Sequence, residues 1–206
     1  MQFVLQDLLN IEKHYQSLPA CEEVNQDLID AVLGEASKFS EEIVAPLNAV
    51  GDLEGCRMLE NGEVKTPTGF REAYHQYVEA GCPSLDKPAR YGGQDLPISL
   101  GTQIREMNGT ANWSWAMYPG LSHGAMETIE KHGSDEQKAL FMEPLVSGRW
   151  TGTMCLTEAH SGTDLGLIKT KAEQTADGTF CITGSKIFIS SGDHDLAENI
   201  VHIVLA

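Results

Sequence analysis

Apolar residues recur at helical spacing along the first two-thirds of the chain. Leu28, Val32, Ala36, Phe39 and Ile43 follow steps of four, four, three and four, which places them on one face of a helix. Pro46 marks its end, because an interior proline removes a backbone hydrogen bond and clashes with the preceding turn. Phe70, Tyr74, Tyr77 and Val78 repeat the pattern after the turn residues Thr66-Pro67-Thr68-Gly69, and Leu100, Ile104, Met107, Ala111 and Trp115 make a third stripe. Tyr118-Pro119-Gly120 is expected to break the chain before Leu121, Ala125 and Ile129 resume the pattern. His132-Gly133-Ser134 then stops one helix and starts the next. Ser134 and Gln137 have the spacing of a capping box, in which hydroxyl and amide each satisfy an orphan backbone N–H.

The pattern changes near Arg149-Trp150. From Thr151 onward β-branched residues dominate, Ile168 to Gln174 roughly alternates, and Asp177-Gly178 is a tight-turn dipeptide. Phe180, Ile182, Ile187 and Ile189 are the apolar positions of a further alternating run, with Gly184 marking a bulge or a turn. The fold class is therefore mainly α with a C-terminal β part. It divides into a helical domain over 1–149 and, over 150–206, the first strands of an antiparallel β-domain. The run Ile200–Leu205 reads as a strand that stops mid-sheet, so the chain looks interrupted, and that edge is expected to pair with another chain or to be disordered.

Composition narrows the function classes. The 206 residues carry 14 Lys plus Arg against 30 Asp plus Glu, a formal charge of −16, which argues against nucleic-acid binding. No run approaches the roughly 18 apolar residues of a membrane-spanning helix. Residues 1–15 show neither a secretory signal nor a transit peptide, so a cytoplasmic protein without a membrane partner is expected. Cys21, Cys56, Cys82, Cys155 and Cys181 are odd in number and widely spaced, and read as reduced thiols. The histidines are scattered; His160 and His194 fall near candidate site loops, but no spacing suggests a metal site.

One segment stands apart. Thr151 to Asp164 begins as a strand and becomes a loop rich in glycine and small hydroxyl residues, which lets backbone N–H groups approach a ligand. Residue types alone leave a second reading open, an ordinary hairpin loop capped by Asp164. Leu156-Thr157-Glu158 followed by Ser161-Gly162-Thr163-Asp164 resembles the flavin-loop signature of acyl-CoA dehydrogenases, usually LTEPxAGSD. Gly184-Ser185-Lys186-Ile187-Phe188-Ile189-Ser190 resembles the second signature of that family, GxKxWITN, with Thr170, Ala172 and Asp177-Gly178 in the family positions between them. Tyr91-Gly92-Gly93-Gln94, the stretch His132–Lys138 and Leu145-Val146-Ser147-Gly148 resemble its helical-domain motifs, in the family's order. Ala45-Pro46-Leu47-Asn48, Ala116–Leu121 and Thr163–Leu167 look closest to the branch that includes the 3-methylmercaptopropionyl-CoA dehydrogenases.

The resemblance implies an N-terminal helical domain, a middle β-barrel and a C-terminal four-helix bundle, with FAD between the last two. The chain would then end in an incomplete antiparallel barrel. By position, Met154, Cys155, Leu156, Thr157, Gly162 and Thr163 would border the flavin and its pyrophosphate, with Leu156 and Thr157 donating to the ring edge. Thr163 would also face the acyl-CoA substrate, and Phe188, Ile189 and Ser190 would cover the other side of the flavin. Ala159 replaces the usual proline, Phe188 the common tryptophan and Ser190 a threonine. The implied reaction is α,β-desaturation of an acyl-CoA thioester with hydride transfer to FAD. An electron-transferring flavoprotein is the implied acceptor and a homo-oligomer the implied assembly. The family's catalytic glutamate belongs to the C-terminal bundle, so no catalytic residue is assigned; Glu158 matches a structural loop position. Inactivity of the isolated chain is expected. Two alternatives are a short partner module or half of a split enzyme, and an acyl-CoA oxidase-type flavoenzyme.

Overall fold

The computed structural model describes residues 1–206. A π-helical turn, Val4–Leu8, and a short helix α1, Ile11–Gln16, precede α2, Gln26–Lys38. Extended Asn25 starts α2, its side chain accepting from the Leu28 N–H at 2.9 Å. α2 runs into a wider π-helical segment, Phe39–Val44, which ends before Pro46. Then follow α3, Leu47–Glu54; a minimal hairpin of β1, Arg57–Met58, and β2, Val64–Lys65; and α4, Phe70–Glu79. Three longer helices complete this part: α5, Ile98–Ala111; α6, Trp113–His132; and α7, Asp135–Val146. Ser134 and Gln137 form both bonds of the capping box at the start of α7, at 2.8 and 3.2 Å.

Two helical expectations need correction. The fully buried residues of α2 and its extension are Ile29, Leu33, Ala36, Ser40 and Val44, one position from most of the expected stripe. The apolar arc is wide: Leu28 and Val32 flank a core cluster with Ile29, Leu33, Leu100 and Ile104, while Phe39 and Ile43 flank a second around Val44, Phe70 and Trp115. The other correction concerns the break. Pro119 lies inside a continuous α6, whereas the chain interrupts at Asn112, so Trp115 belongs to α6 and not to the stripe of α5. Asn112 is extended (φ −159°, ψ 97°) and its side chain accepts from the Trp115 N–H at 3.1 Å, a cap strong enough to restart a helix. α6 survives its proline because Trp115, Tyr118, Ser122 and Ala125 are all buried around it.

Past residue 149 the strands are β3, Trp150–Cys155; β4, Lys171–Gln174; β5, Phe180–Thr183; and β6, Asn199–Val204. β4 and β5 form the expected antiparallel hairpin across Asp177-Gly178, with Gln174 opposite Phe180. β3 and β6 pair in parallel instead, Trp150 opposite Asn199 and Cys155 opposite Val204. The stretch between them contains the whole hairpin, long enough for the crossover that parallel pairing requires. The strand expected over Phe180–Ile189 ends at Thr183, because a Cβ on Gly184 would lie 2.3 Å from Thr170 Oγ1; its role is close approach. β3 lies along α6, where a Cβ on Gly152 would meet Ala125 Cβ at 2.4 Å. All five cysteines are free thiols, and no helix is long and apolar enough to cross a membrane.

Candidate functional site

β3 carries the first of the candidate residues to the edge of the helical layer. At the end of the strand Met154 is exposed and Cys155 buried, with Cys155 Sγ 3.3 Å from His202 Nδ1 on β6. Leu156 and Thr157 are half-buried just beyond the strand, and Gly162 and Thr163 are exposed. Within residues 156–165 only the Glu158 and Ser161 N–H groups have an acceptor in the chain, so those of Leu156, Thr157, Gly162 and Thr163 are open, as are those of Ala159, His160, Asp164 and Leu165.

Glu158 holds this loop in shape. Its carboxylate is 4 % exposed and accepts from the Thr170 hydroxyl at 2.6 Å, the Thr170 and Lys169 N–H groups at 3.0 and 2.8 Å, and Lys186 Nζ at 2.9 Å. The Thr170 hydroxyl, then the Lys186 ammonium, then the Lys169 N–H hold it far below the usual carboxylate range. A carboxylate so committed is a poor proton acceptor. Lys186 Nζ also donates to the Leu156 carbonyl at 2.9 Å, and Ile187 N–H donates to the Thr157 carbonyl at 2.9 Å. These bonds bring the second candidate segment beside the first. In it Phe188 is 87 % exposed with φ +57°, Ile189 is half-buried and Ser190 exposed. Thr153 Oγ1 donates to the Ser190 carbonyl at 2.6 Å.

The structure thus gathers Leu156, Thr157, Phe188, Ile189 and Ser190 around the end of β3, and turns the Cys155 side chain away into the β3–β6 pair. Sequence reasoning passed over Thr170 and Lys186 as anchors of Glu158, and Thr151 and Thr153 as anchors of the Ser190–His194 stretch. The signal available was Lys186 itself, the one cation inside the second signature. It also passed over a polar cluster in the helical part. Lys87 is 1 % exposed, with Nζ 2.8 Å from His123 Nδ1, 2.9 Å from Glu127 and 3.4 Å from Asp86. This cluster supports the Tyr91-Gly92-Gly93-Gln94 loop: Gly92 has φ +86°, and a Cβ on Gly93 would lie 1.9 Å from the Lys87 carbonyl oxygen. No group of three or more His, Cys, Asp or Glu side chains converges as a metal site.

Residues 29–149 match the family model described as acyl-CoA dehydrogenase, N-terminal domain. Over its whole length the chain is 42 % identical to the 3-methylmercaptopropionyl-CoA dehydrogenase of Ruegeria pomeroyi, covering 36 % of that protein. A butyryl-CoA dehydrogenase of Syntrophomonas wolfei is 38 % identical over 87 % of the chain and 30 % of its own length. The chain therefore spans about a third of the relatives it matches. Among solved structures, the butyryl-CoA dehydrogenase of Megasphaera elsdenii superposes with a TM-score of 0.71 at 26 % identity, over 87 % of this chain and 44 % of that one. An acyl-CoA dehydrogenase from Bacillus anthracis, solved in complex with FAD, gives 0.67 at 24 % identity over 89 % of this chain and 30 % of its own, a likeness of fold.

Proposed function

Because the chain belongs to the acyl-CoA dehydrogenase family, we propose that it forms the helical domain (1–149) and the first β-strands (150–206) of a flavin-dependent enzyme that α,β-desaturates an acyl-CoA thioester. One observation carries this reading. The acceptor-free N–H groups of Leu156, Thr157, Gly162 and Thr163 lie in the loop that Lys186 and Ile187 tie to the exposed aromatic face of Phe188. Such donors and such a ring suit an electron-accepting, planar heterocycle bearing a pyrophosphate, and therefore fit FAD.

When bound, FAD supplies the acceptor for the β-hydride. This chain's residues bind and orient it. Leu156 and Thr157 would offer fixed neutral donors to the ring edge, Gly162 and Thr163 would offer theirs to the pyrophosphate and the acyl-CoA, and Phe188, Ile189 and Ser190 would cover the flavin's other side. Met154 and Cys155 set the strand from which the loop departs. Glu158 fixes the loop and takes no proton; by the family resemblance, the base that removes the α-proton would be the glutamate of the C-terminal bundle. The assembled enzyme is a homo-oligomer of the cytoplasm that passes electrons to an electron-transferring flavoprotein.

The test pairs the purified chain with a polypeptide corresponding to the remaining two-thirds of its relatives. Flavin absorbance in the pair, bleached by acyl-CoA under anaerobic conditions, is the expected result. A pair that copurifies and carries no flavin would overturn the reading, and stoichiometric peroxide in air would move it to the oxidase class.

A further inference from the structure

The turn that carries Phe188 is strained and is held from one side. Phe188 and Ser191 both have positive φ, at +57° and +55°, a left-handed conformation that side-chain-bearing residues keep only where their surroundings impose it. The restraint comes from Thr153 and Thr151 of β3, a strand held to α6 at the residue between them. Thr153 Oγ1 donates to the Ser190 carbonyl at 2.6 Å, the Gly152 N–H donates to Ser122 Oγ on α6 at 3.0 Å, and Thr151 Oγ1 lies 3.0 Å from His194 Nε2. The stretch Ser190–His194 is thus tied to β3 at both ends.

His194 is 7 % exposed, and its ring stands edge-on to Tyr118 of α6, with centroids 5.1 Å apart at 88°. The Leu196 N–H lies 3.2 Å from Nδ1. A backbone N–H can only donate, so Nδ1 carries no proton and the ring proton of the neutral imidazole is on Nε2. Nε2–H then donates to Thr151 Oγ1, whose own proton points to the Asn199 carbonyl at 3.4 Å, at the start of β6. The result is a directed chain of bonds from Leu196 through the imidazole and a hydroxyl to β6. Burial holds the ring neutral against the opposing pull of Asp193 and Asp195.

We propose that His194 is a positioning residue, a neutral Nε2–H imidazole that fixes the Phe188–Ser191 turn against β3 and α6 and so sets the aromatic face described above. What that face is for rests on the flavin reading; the mechanical claim does not. The test uses the 206-residue chain without flavin, so its failure and the failure of the flavin reading are separate results. Nitrogen-15 NMR of the wild-type histidines is expected to show His194 as the Nε2–H tautomer. His194→Phe keeps the ring and loses both hydrogen bonds. It is expected to raise amide exchange across Phe188–Leu196 about tenfold or more while α4 and α6 stay within about threefold. His194→Gln restores a donor toward Thr151, and exchange returns to within about threefold of wild type. An Nδ1–H tautomer, a folded His194→Phe chain with unchanged exchange across this segment, or a His194→Gln chain that exchanges as fast as His194→Phe would each overturn the proposal. Should His194→Phe not fold, the tautomer and His194→Gln, compared with wild type, decide it.

Discussion

Trp115 in α6 exposes no surface, whereas Phe180 and Ile182 of the β4–β5 hairpin are 59 % and 51 % exposed. The contrast extends to everything around them. Before residue 150 the buried residues are overwhelmingly apolar and fall into contiguous clusters. After it, only Cys155 and Leu196 are buried apolar residues, against six buried polar ones: Thr151, Thr153, Glu158, Ser161, Thr170 and His194. Apolar burial is non-directional and tolerates small shifts, while a buried hydrogen bond fixes distance and angle and is costly to break. The helices are therefore ordered by packing and the β segments by directional anchors. Under the proposed reading, that division suits a part of the molecule that would hold donors and an aromatic ring in set positions.

The largest break in this comparison should come from the helical core. Trp115 packs edge-on to Tyr77 at 5.6 Å, and its Nε1–H donates to the Phe70 carbonyl at 3.2 Å. Trp115→Ala is expected to cost about 3–5 kcal/mol in chemical denaturation, and a loss under about 1 kcal/mol would mean that the helical part does not rest on this cluster.

Next comes the polar cluster around Lys87 on the helical side. Lys87→Met leaves Asp86 paired with Arg105 and Glu127 with Lys131, but deprives His123 Nδ1 of its partner, for an expected cost of about 1–3 kcal/mol. His123 is pushed down to about 4, by burial first and then by the Lys87 and Arg105 charges. Its folded form is therefore neutral over a range in which the unfolded chain, with a pKa near ~6.5, takes up a proton. The contribution is complete above that value and is lost as pH falls from about 6.5 toward about 4. Melting temperature should drop over this window in wild type and less so in His123→Gln. In Lys87→Met the window should narrow, because one of the charges that depress His123 is gone.

The same contrast explains what could be read from the chain alone. Helix periodicity is local, so the stripes, the Ser134–Gln137 cap and the change near Trp150 were legible. The buried face of α2 differs by one residue from the expected stripe because the apolar arc is wide: Leu28 and Val32 flank the same core cluster that Ile29 and Leu33 enter. The break was placed at Pro119 and not at Asn112, since a proline is a strong local signal and an asparagine cap a weak one until its Trp115 partner is known. The anchors of the β part have no local signature at all. Glu158 finds its donors 11, 12 and 28 residues away, and Thr151 finds His194 at 43. The two loops that resemble the family's flavin signatures were legible only through that resemblance, and the bonds that shape them only in three dimensions.

A smaller, local effect tests that anchoring. Glu158→Gln removes the charge that Lys186 and Thr170 address but keeps an acceptor of similar shape. Exchange should rise across residues 156–170 and at Lys186 while the helices keep their protection. In wild type the Glu158 contribution is present above the ordinary glutamate pKa, near ~4.3, and is lost as pH falls below it, because the folded carboxylate titrates far lower. Glu158→Gln should therefore show less acid sensitivity in this loop at pH 3–4, roughly, than wild type. Equal sensitivity would mean that the loop is held by something else.

The smallest expected effect is the sharpest on function. Phe188 places a large apolar ring at 87 % exposure on a backbone with φ +57°, so within this chain it buries little and occupies a conformation better suited to asparagine or glycine. Phe188→Asn should leave stability within about 0.5 kcal/mol of wild type, or raise it slightly. The same substitution removes the stacking face, so flavin retained by the chain paired with the rest of its relatives' polypeptide should fall. A destabilisation above about 1 kcal/mol would show Phe188 to be a packing residue and remove the aromatic half of the cofactor assignment. Unchanged stability together with lost flavin would separate the two parts of the molecule by purpose, one built to stay folded and the other to present a surface.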